Sequence, residues 1–587
     1  MTSPTSSASY SFTKTTGVQN VDSLMDGTKW TSSTISYSIA STNSYWSTST
    51  TGGYGPSTGG KEPWSVYAEP LSAAEATQFR TALAQWSNVA NLNFVETTES
   101  QADVGDIRIG YSWMQLTDDA EAWSYDPDGT PRGGDIWINA KGGSHHASFA
   151  PGTYSFLAML HELGHALGLK HPFETSPLNS TVINPADDTL LLTLMSYSAA
   201  PGVQGTHFTY FPTTPMVLDI AAAQAMYGKN MTFNAGDTTY TFKDGENYMQ
   251  TIWDAGGNNT IAYSGAKGTF INLNEGQGSY LGNTIYSLDL NGKAKDSVPN
   301  VWLAYGVSIR NAVGGSGDDF VLGNNLGDNF TGGAGNDVMF GGTGADRFIG
   351  LNGKDAYYGG TGNDVLQLSS GVAQSHIVKL RDNAFFIRDT GGNAAIVRDV
   401  EQVQFSDKMT NLSSLPVMDN VDHMLIDIYV AAFRRAPELS GYQYWAQQEA
   451  LKGLKTVADI IFSLDGVKAI YPTALTSSQF VTSIYGNVFN RTPDSEGLNY
   501  WIQQLNSKSR GQLVIDMTNA ALGAPDSATG KDFFQNRVDW AQYAVGYQTD
   551  KHTELTPAHL TDLTNGIGSD PLALITLIGN AESGGFL

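Results

Sequence analysis

A nine-residue period that holds for six consecutive units constrains the fold of this 587-residue chain more than any other feature. The units run from Gly314 to Gln367, and each has glycine at its first position and aspartate at its sixth. The aspartates are Asp319, Asp328, Asp337, Asp346, Asp355 and Asp364. Repeats of the form G-G-x-G-x-D-x-U-x are typical of a parallel β-roll, in which we expect each unit to make half a turn. Loops on one side should therefore lie two units apart, with the apolar position-eight side chains filling the interior.

The residue types in these units indicate calcium binding. Glycine allows tight loops whose carbonyl groups converge, and aspartate supplies the charged oxygen that a hard cation prefers. The glycines expected beside the ions are Gly315, Gly317, Gly333, Gly335, Gly342, Gly344, Gly360 and Gly362. About four Ca²⁺ ions or more would fit between successive same-side loops. A flexible linker rich in Gly, Asn and Asp would not keep a nine-residue period over six units. Leu326 and Leu351 replace expected glycines, so the sites beside them depart from the calcium-binding pattern.

A second constraint is the sequence HELGHALGLKH at residues 161–171. On a helix, His161 and His165 lie on one face, one turn apart, so both imidazoles can reach one ion. Gly168 can end the helix in a left-handed turn and return the chain, which brings His171 to the same ion. Three imidazoles leave zinc an open position for water. Glu162 can reach that water rather than the metal and take its proton.

The segment TLMSYS, which contains Met195 and Tyr197, follows this motif. The extended histidine motif followed by such a methionine turn is the metzincin signature, and the Met-Ser-Tyr form resembles the serralysin branch. LMDGTKW, GDIWIN and TPMVLDIAAAQAMYG also resemble serralysins, so that the similarity covers about residues 20–405. The resemblance implies that Met195 forms an apolar floor under the zinc ligands. It also implies that Tyr197 is an additional zinc ligand at rest and stabilises the oxyanion during catalysis.

By this resemblance the chain is expected to be a secreted zinc endopeptidase that cleaves proteins or peptides with one catalytic zinc ion. Zinc-activated water would attack the scissile carbonyl, with Glu162 as general base and then as proton donor to the leaving amine. Substrate should lie along an exposed sheet edge near residues 120–123 and 134–139. Two alternatives stay open: a calcium-dependent surface-layer or adhesin-type protein with a vestigial peptidase domain, and a zinc enzyme that acts on a non-peptide bond. The presence of Glu162 favours a working enzyme.

The local patterns predict a multidomain architecture. Helices are expected at 71–89, where Ser72 and Glu75 form a capping box at the start, and at 155–169 and 215–228. Strands are expected at 106–113 and 134–139. We therefore expect an α/β metzincin catalytic domain at 21–230, preceded by a propeptide or flexible segment at 1–20. A β-roll or β-sandwich domain with flanking strands, such as 253–265 and 394–407, should cover 231–410. An all-α domain should cover 417–587.

The helical segment contains its own repeat, because residues 428–445 match residues 484–501 with an offset of 56. Each copy has Arg-x-Pro followed by Gly-x-x-Tyr-Trp. We expect a proline-containing turn and an aromatic pair that packs in the core. The segment resembles a helical domain of unknown function that is attached to bacterial calcium-roll proteins. A role in attachment to the cell surface or to a protein partner is a hypothesis.

Charge and composition limit the partners and the location. The net charge of −25 argues against binding to nucleic acid. The chain has no cysteine, and no apolar run in it is long enough to span a membrane. Without a recognisable N-terminal signal peptide, the calcium repeats favour export by bacterial type I secretion machinery. His145, His146 and His207 lack metal-ligand spacing and are interpreted as surface or loop residues.

Overall fold

The computed structural model describes residues 9–64, 68–100, 103–114, 120–381, 383–415, 422–524 and 530–582. The chain divides into two compact units, Met1–Asn311 and Ala312–Leu587. The domain boundaries predicted at 230 and 410 stay predictions. None of the described helices has the length and apolar character that a membrane crossing requires.

The first unit combines four helices with a series of short strands among its described residues. The helices are α1 (Gln19–Asp22), α2 (Ala73–Val89), α3 (Tyr154–Ala166) and α4 (Val217–Tyr227). The strands up to α3 are β1 (Tyr10–Phe12), β2 (Thr28–Trp30), β3 (Thr34–Ile39), β4 (Asn93–Glu96), β5 (Ile107–Ser112), β6 (Ala122–Ser124) and β7 (Asp135–Asn139). The later strands are β8 (His207–Phe208), β9 (Thr239–Phe242), β10 (Gln250–Ile252), β11 (Asn259–Tyr263), β12 (Phe270–Asn272), β13 (Gly278–Ser279), β14 (Ile285–Leu288), β15 (Ala294–Val298) and β16 (Val301–Leu303). The next strand, β17 (Ile309–Val313), includes the boundary between the two units.

A five-stranded sheet in the order β4-β3-β5-β7-β6 forms the framework of this unit. Its strands pair in parallel except β6, which is antiparallel to β7 and lies at the edge. The helices α2 and α3 pack together, and the indole nitrogen of Trp86 donates to the carbonyl of Leu160 at 3.2 Å. The three predicted helices and the two predicted strands are present, with ends that differ only slightly from the expected bounds.

Two local expectations in this unit concern the start of α2 and the N-terminal segment. The capping box predicted at the start of α2 is present, because Ser72 and Glu75 exchange hydrogen bonds between side chain and backbone. Within the segment 1–20, which is expected to be a propeptide or flexible, residues 10–12 form β1 and pair antiparallel with β2; the assignment of this segment stays a prediction. Residues 1–8 lie outside the described part of the chain.

The second unit begins with short strands at the repeat spacing and ends with helices. The strands are β18 (Phe320–Leu322), β19 (Asn329–Thr331), β20 (Val338–Gly342), β21 (Arg347–Ile349), β22 (Lys354–Gly360), β23 (Val365–Gln367), β24 (Ser375–Arg381), β25 (Ala384–Asp389), β26 (Ala394–Arg398), β27 (Gln402–Gln404) and β28 (Met409–Asn411). The helices are α5 (His423–Phe433), α6 (Leu439–Lys452), α7 (Leu454–Ile461), α8 (Asp465–Ile470), α9 (Ser477–Phe489), α10 (Ser495–Leu505), α11 (Arg510–Leu522), α12 (Lys531–Lys551), α13 (Pro557–Asn565) and α14 (Pro571–Glu582).

Alternate repeats pair with each other, as a half turn per unit requires. One parallel ladder joins β18, β20, β22 and β26, and the other joins β19, β21, β23 and β27. The position-eight side chains are all buried. They are Val321, Phe330, Met339, Phe348, Tyr357 and Leu366. The segment predicted to flank the repeats, 394–407, continues both ladders through β26 and β27.

The helical region packs around a large apolar core, which buries Trp445 and Trp501. The tyrosines that precede them, Tyr444 and Tyr500, are 54% and 53% exposed. The expectation that both aromatic residues of each pair pack in the core is therefore wrong for the tyrosines, since consecutive helix positions face different directions. Arg434 and Asn490, which occupy equivalent positions in the two copies, end α5 and α9 in left-handed conformations at the start of the equivalent turns.

The close stacking of the repeat loops leads to a stability prediction. A Cβ added at Gly335, where φ is +111°, would lie 2.3 Å from the carbonyl oxygen of Gly317. At Gly392, φ is also positive, at +94°, but nothing lies within 4 Å of the added Cβ. Gly392→Ala should cost about 1–2 kcal/mol through backbone strain, and Gly335→Ala about 1–3 kcal/mol more through overpacking. Thermal unfolding of both variants checks this, and equal shifts in Tm would contradict it.

Candidate metal centre

The helix α3 carries the first two candidate ligands, and a glycine turn supplies the third. His161 and His165 are one turn apart on α3, which Thr153 caps by accepting the amide of Phe156 at 3.3 Å. Gly168 follows the helix with φ of +98°. A Cβ at this position would lie 2.1 Å from the carbonyl oxygen of Thr28, so only glycine fits here without a shift of the backbone. The turn returns the chain to the helix face at His171.

The three imidazoles converge through the same type of atom. The Nε2 atom of His171 lies 3.2 Å from Nε2 of His161 and 3.1 Å from Nε2 of His165. Nitrogen ligands at about 2.0–2.1 Å from a tetrahedral zinc ion are separated by about 3.3 Å. The donor atoms of this cluster therefore fit a zinc ion, and they are the nitrogen ligands that zinc prefers.

The opposite nitrogen of each ring has an acceptor, which fixes the tautomer. The Nδ1 atoms of His161 and His165 lie 2.8 and 2.7 Å from the carbonyl oxygens of Leu194 and Leu169. Nδ1 of His171 lies 3.0 Å from a carboxylate oxygen of Glu174. Each Nδ1 therefore carries the proton and donates it, and each Nε2 keeps a lone pair for a metal.

Burial keeps these rings neutral. It lowers the pKa of His161 to about 3 and lowers the pKa values of His165 and His171 below the ordinary histidine range. A neutral imidazole is the form that ligates a metal. The cluster is therefore ready to bind a cation at neutral pH without first releasing protons.

Glu162 is next to the first ligand in sequence and almost fully buried, at 6% exposure. Burial raises the pKa of its carboxyl to about 8. Within the described part of the chain, its Oε2 atom has no hydrogen-bond partner. A buried carboxyl beside candidate metal ligands is a candidate for proton transfer.

The residues expected from the methionine turn lie beside the cluster. Met195 is fully buried, and a Cβ at Gly164 of α3 would lie 2.7 Å from its sulfur, so Met195 packs directly against the helix. The hydroxyl of Tyr197 lies 2.6 Å from Nε2 of His171. Tyr197 is 44% exposed, which leaves its ring accessible from solvent.

Sequence reasoning assigned no role to Asp219, which organises this turn. Its carboxylate is fully buried and accepts hydrogen bonds from the Thr193 hydroxyl at 2.6 Å and the Leu194 amide at 2.7 Å. It also accepts from the Met216 amide at 2.9 Å, at the start of α4. Because the carbonyl of Leu194 accepts from His161, Asp219 positions a ligand through the backbone. The only signal in the sequence is an aspartate near the start of a largely apolar helix.

The edge strand β6 lies beside the centre. The Ser124 hydroxyl donates to the carbonyl oxygen of Glu162 at 3.1 Å, which connects the strand to α3. The segments predicted near the substrate, 120–123 and 134–139, thus overlap β6 and its neighbour β7. The edge of the sheet and the histidine cluster belong to one region of the first unit.

In the second unit, the six repeat aspartates are all buried and arranged in two columns. Asp337 accepts from the amide of Asp319, and Asp355 from that of Asp337, at 2.9 and 3.0 Å. On the other side, the amides of Asp328 and Asp346 donate to the carboxylates two units ahead, at 2.6 and 2.7 Å. This is the alternation expected from the sequence.

The repeat glycines allow the loops within each column to touch. A Cβ at Gly333, Gly360 or Gly362 would lie 1.9, 2.1 or 1.8 Å from a carbonyl oxygen of the loop two units before it. These carbonyls belong to Gly315, Gly342 and Gly344. Among the described residues, Asp346 and Asp364 each have a buried Oδ2 without a hydrogen-bond partner. The donor set of carboxylate and carbonyl oxygens fits calcium.

Comparisons with known proteins agree with these two regions. Residues 64–193 match the family model of the matrixins, a group of M10 peptidases, and residues 217–434 match the model described as peptidase M10 serralysin C terminal. Residues 458–521 match a domain of unknown function, DUF4214.

Curated relatives are similar over part of their length. Serralysin C of Dickeya chrysanthemi is 37% identical over 274 residues, which cover 43% of this chain and 54% of that protein. Serralysin of Photorhabdus luminescens is 34% identical over 289 residues, with 45% and 55% covered. Metalloprotease AprA of Pseudomonas entomophila is 32% identical over 300 residues, with 45% and 58% covered. The chain thus spans about half the length of the curated relatives it matches.

The role of Asp219 can be tested by Asp219→Asn. One carboxylate oxygen accepts both backbone amides and the other accepts the Thr193 hydroxyl, so the new amide nitrogen would face Thr193. The neutral amide oxygen would hold the Leu194 and Met216 amides more weakly than a carboxylate does, at a cost of about 1–3 kcal/mol. We expect weaker zinc retention against a chelator and a lower Tm, because the turn that holds Leu194 and therefore His161 loosens. Asp103→Asn, on an exposed loop, makes the same charge change and serves as the control. Zinc retention by Asp219→Asn equal to that of the control would contradict this role.

Proposed function

We propose that the chain, which belongs to the serralysin-type peptidases of the M10 family, is a zinc-dependent endopeptidase that acts outside the cell and is stabilised by calcium. One observation carries the proposal. Three neutral imidazoles direct their Nε2 atoms to one point, and the buried carboxyl of Glu162 projects from the same helix. When bound, zinc supplies a Lewis acid that polarises a carbonyl group and makes water more acidic.

Glu162 would act as general base and then as general acid. Its carboxylate would take a proton from the attacking water and hold it until the leaving amine accepts it. Tyr197 is the candidate for oxyanion stabilisation, because its hydroxyl lies beside the cluster and can donate a hydrogen bond. His161, His165 and His171 would be the zinc ligands, and Met195 the packing residue beneath them.

A peptide substrate would bind as an additional strand along β6. The described part of the sheet ends with this strand, so one row of its backbone groups is available for pairing. Main-chain pairing holds an extended peptide without regard to most of its side chains. The hydrogen bond from the Ser124 hydroxyl to the Glu162 carbonyl holds β6 next to α3, so a peptide paired with β6 would lie close to the general base.

The repeat region would be a parallel β-roll that holds about four Ca²⁺ ions or more. The stacked loops, the two aspartate columns and their buried carboxylates support this assignment. Because calcium binds only the folded roll, the ion stabilises that state by mass action. We propose export by a type I route into surroundings where calcium is abundant. Attachment to a surface or partner through the helical region stays a hypothesis.

The catalytic role of Glu162 can be tested by Glu162→Gln. The amide cannot take a proton, so casein turnover should fall by about 10²-fold or more. Zinc content should stay the same, because no ligand is lost. Glu246→Gln, on the surface, is the matched control. Turnover by Glu162→Gln close to wild type would refute this role, and a wild-type chain that binds zinc without cleaving casein would favour the alternatives with a vestigial or non-peptide activity.

The aspartate columns predict an unusual pH dependence for the calcium-free chain. Burial raises the pKa values of Asp337 and Asp364 from 3.8 to about 7. A group whose pKa is raised on folding stabilises the folded state below its unfolded pKa, and this contribution is lost as the pH rises through the folded value. Without calcium, unfolding of the repeat region should therefore occur at lower temperature at pH 8 than at pH 5.

Calorimetry with and without calcium measures this effect. Calcium should restore stability mainly at pH 8, where the carboxylates are ionised. The variant Asp337→Asn with Asp364→Asn should show a smaller difference between the two pH values in the absence of calcium. A calcium-free Tm that rises from pH 5 to pH 8 in the wild type, with no change in the variant, would contradict the prediction.

A further inference from the structure

A second group of metal-ligating side chains lies in the first unit and shares no residue with the first. Glu69 precedes α2, and His145 and His146 follow β7. Candidate ligand atoms of the three residues all lie within 4.8 Å of one another. The spacing of the two histidines in the sequence predicts only surface or loop residues, and they do lie in a loop between β7 and α3. The fold nevertheless brings them to a glutamate that is distant in the sequence.

Both imidazoles face the same carboxylate. Nε2 of His145 lies 3.2 Å from one oxygen of Glu69, and Nε2 of His146 lies 2.8 Å from the other. The centroids of the two imidazole rings are 4.3 Å apart, and the ring planes are inclined by 31°. Two imidazole nitrogens and a carboxylate at this spacing form a donor set of the type that binds zinc.

A second layer of side chains holds this group in place. The opposite nitrogen of His146, Nδ1, lies 3.2 Å from a carboxylate oxygen of Glu75. That carboxylate is buried, caps α2 and accepts from the Tyr111 hydroxyl at 3.0 Å. The Trp113 indole donates to Glu69 at 2.9 Å. An imidazole whose second nitrogen is held by a carboxylate is the usual arrangement around a zinc ligand.

Backbone conformation and charge give two further observations. His146 has φ of +49°, a left-handed conformation that costs energy for a residue other than glycine and is typical of functional positions. In the described part of the chain, these two imidazoles are the only ion-pair partners of Glu69 and Glu75. With both imidazoles neutral, which is the form that ligates a metal, the two carboxylates leave negative charge that a divalent cation would balance.

We propose that Glu69, His145 and His146 form a second zinc site, with solvent in the remaining position, and that its role is structural. The metal would connect the segment before α2 to the loop between β7 and α3. That loop is also connected to the first turn of α3, where the Ser155 hydroxyl donates to Ser144 at 3.0 Å. The second ion would therefore hold the start of the helix that carries His161 and His165.

The test counts zinc in the full chain after dialysis against a weak chelator in calcium-containing buffer. The wild type should retain two zinc ions per chain. The double variant His145→Ala with His146→Ala should retain one, and His207→Ala, which removes an exposed histidine elsewhere, should retain two. A double variant that retains as much zinc as the wild type would overturn the proposal.

Two further variants separate this site from the proposed catalytic one. His161→Ala with His165→Ala should retain one zinc ion, and zinc should raise its Tm; adding His145→Ala and His146→Ala should abolish both effects. If the first cluster binds no metal, the wild type and the former variant would each retain one ion and the quadruple variant none, so the two proposals fail separately.

The carboxylate ligand has its own test. Glu69→Gln, which can still accept from Trp113, should weaken zinc binding by the remaining site of the His161→Ala, His165→Ala variant at least tenfold without unfolding the chain. Unchanged affinity would refute the assignment of Glu69.

Discussion

The turn at Gly168 is the constraint on which the candidate metal centre depends. A helix can direct only two histidines to one point by itself, because its face moves away after one turn. The third imidazole requires the chain to reverse within a few residues, and the carbonyl of Thr28 lies where any side chain at Gly168 would be. Thr28 belongs to β2, whose partner is β1. The centre is therefore fixed by packing at the N-terminal part of the unit as well as by its own motif.

Burial changes the pKa values of the two candidate metal-binding regions in opposite directions. In the histidine cluster, burial lowers the pKa of each imidazole, so the ligands are neutral and ready for a cation. In the repeats, burial raises the pKa of aspartates such as Asp337, so ionisation is costly until a cation compensates for it. The first region can form before the metal arrives. A cation that compensated for this cost would stabilise the second region, which agrees with the proposal that calcium stabilises the repeats.

Periodic and short-range features were predictable from the sequence. The spacing within HELGHALGLKH predicted the convergence of the imidazoles, and the half turn per repeat predicted the pairing of β18 with β20 and of β19 with β21. In both cases the geometry is local or repeats regularly, so the spacing of residues along the chain determines where their side chains lie. The tyrosines Tyr444 and Tyr500 were misassigned because a dipeptide motif does not reveal which side of a helix faces the core.

Features that depend on tertiary contacts could not be predicted in this way. Asp219 acts on His161 through the backbone of Leu194, and nothing in the intervening residues records that α4 begins beside that turn. The group of Glu69, His145 and His146 depends on the register between the segment before α2 and the end of β7. Glu75 both caps α2 and holds His146, so the helix start that sequence analysis identified as a folding signal also orients a candidate ligand. The capping rule therefore located Glu75 correctly, but its contact with His146 depends on the tertiary fold.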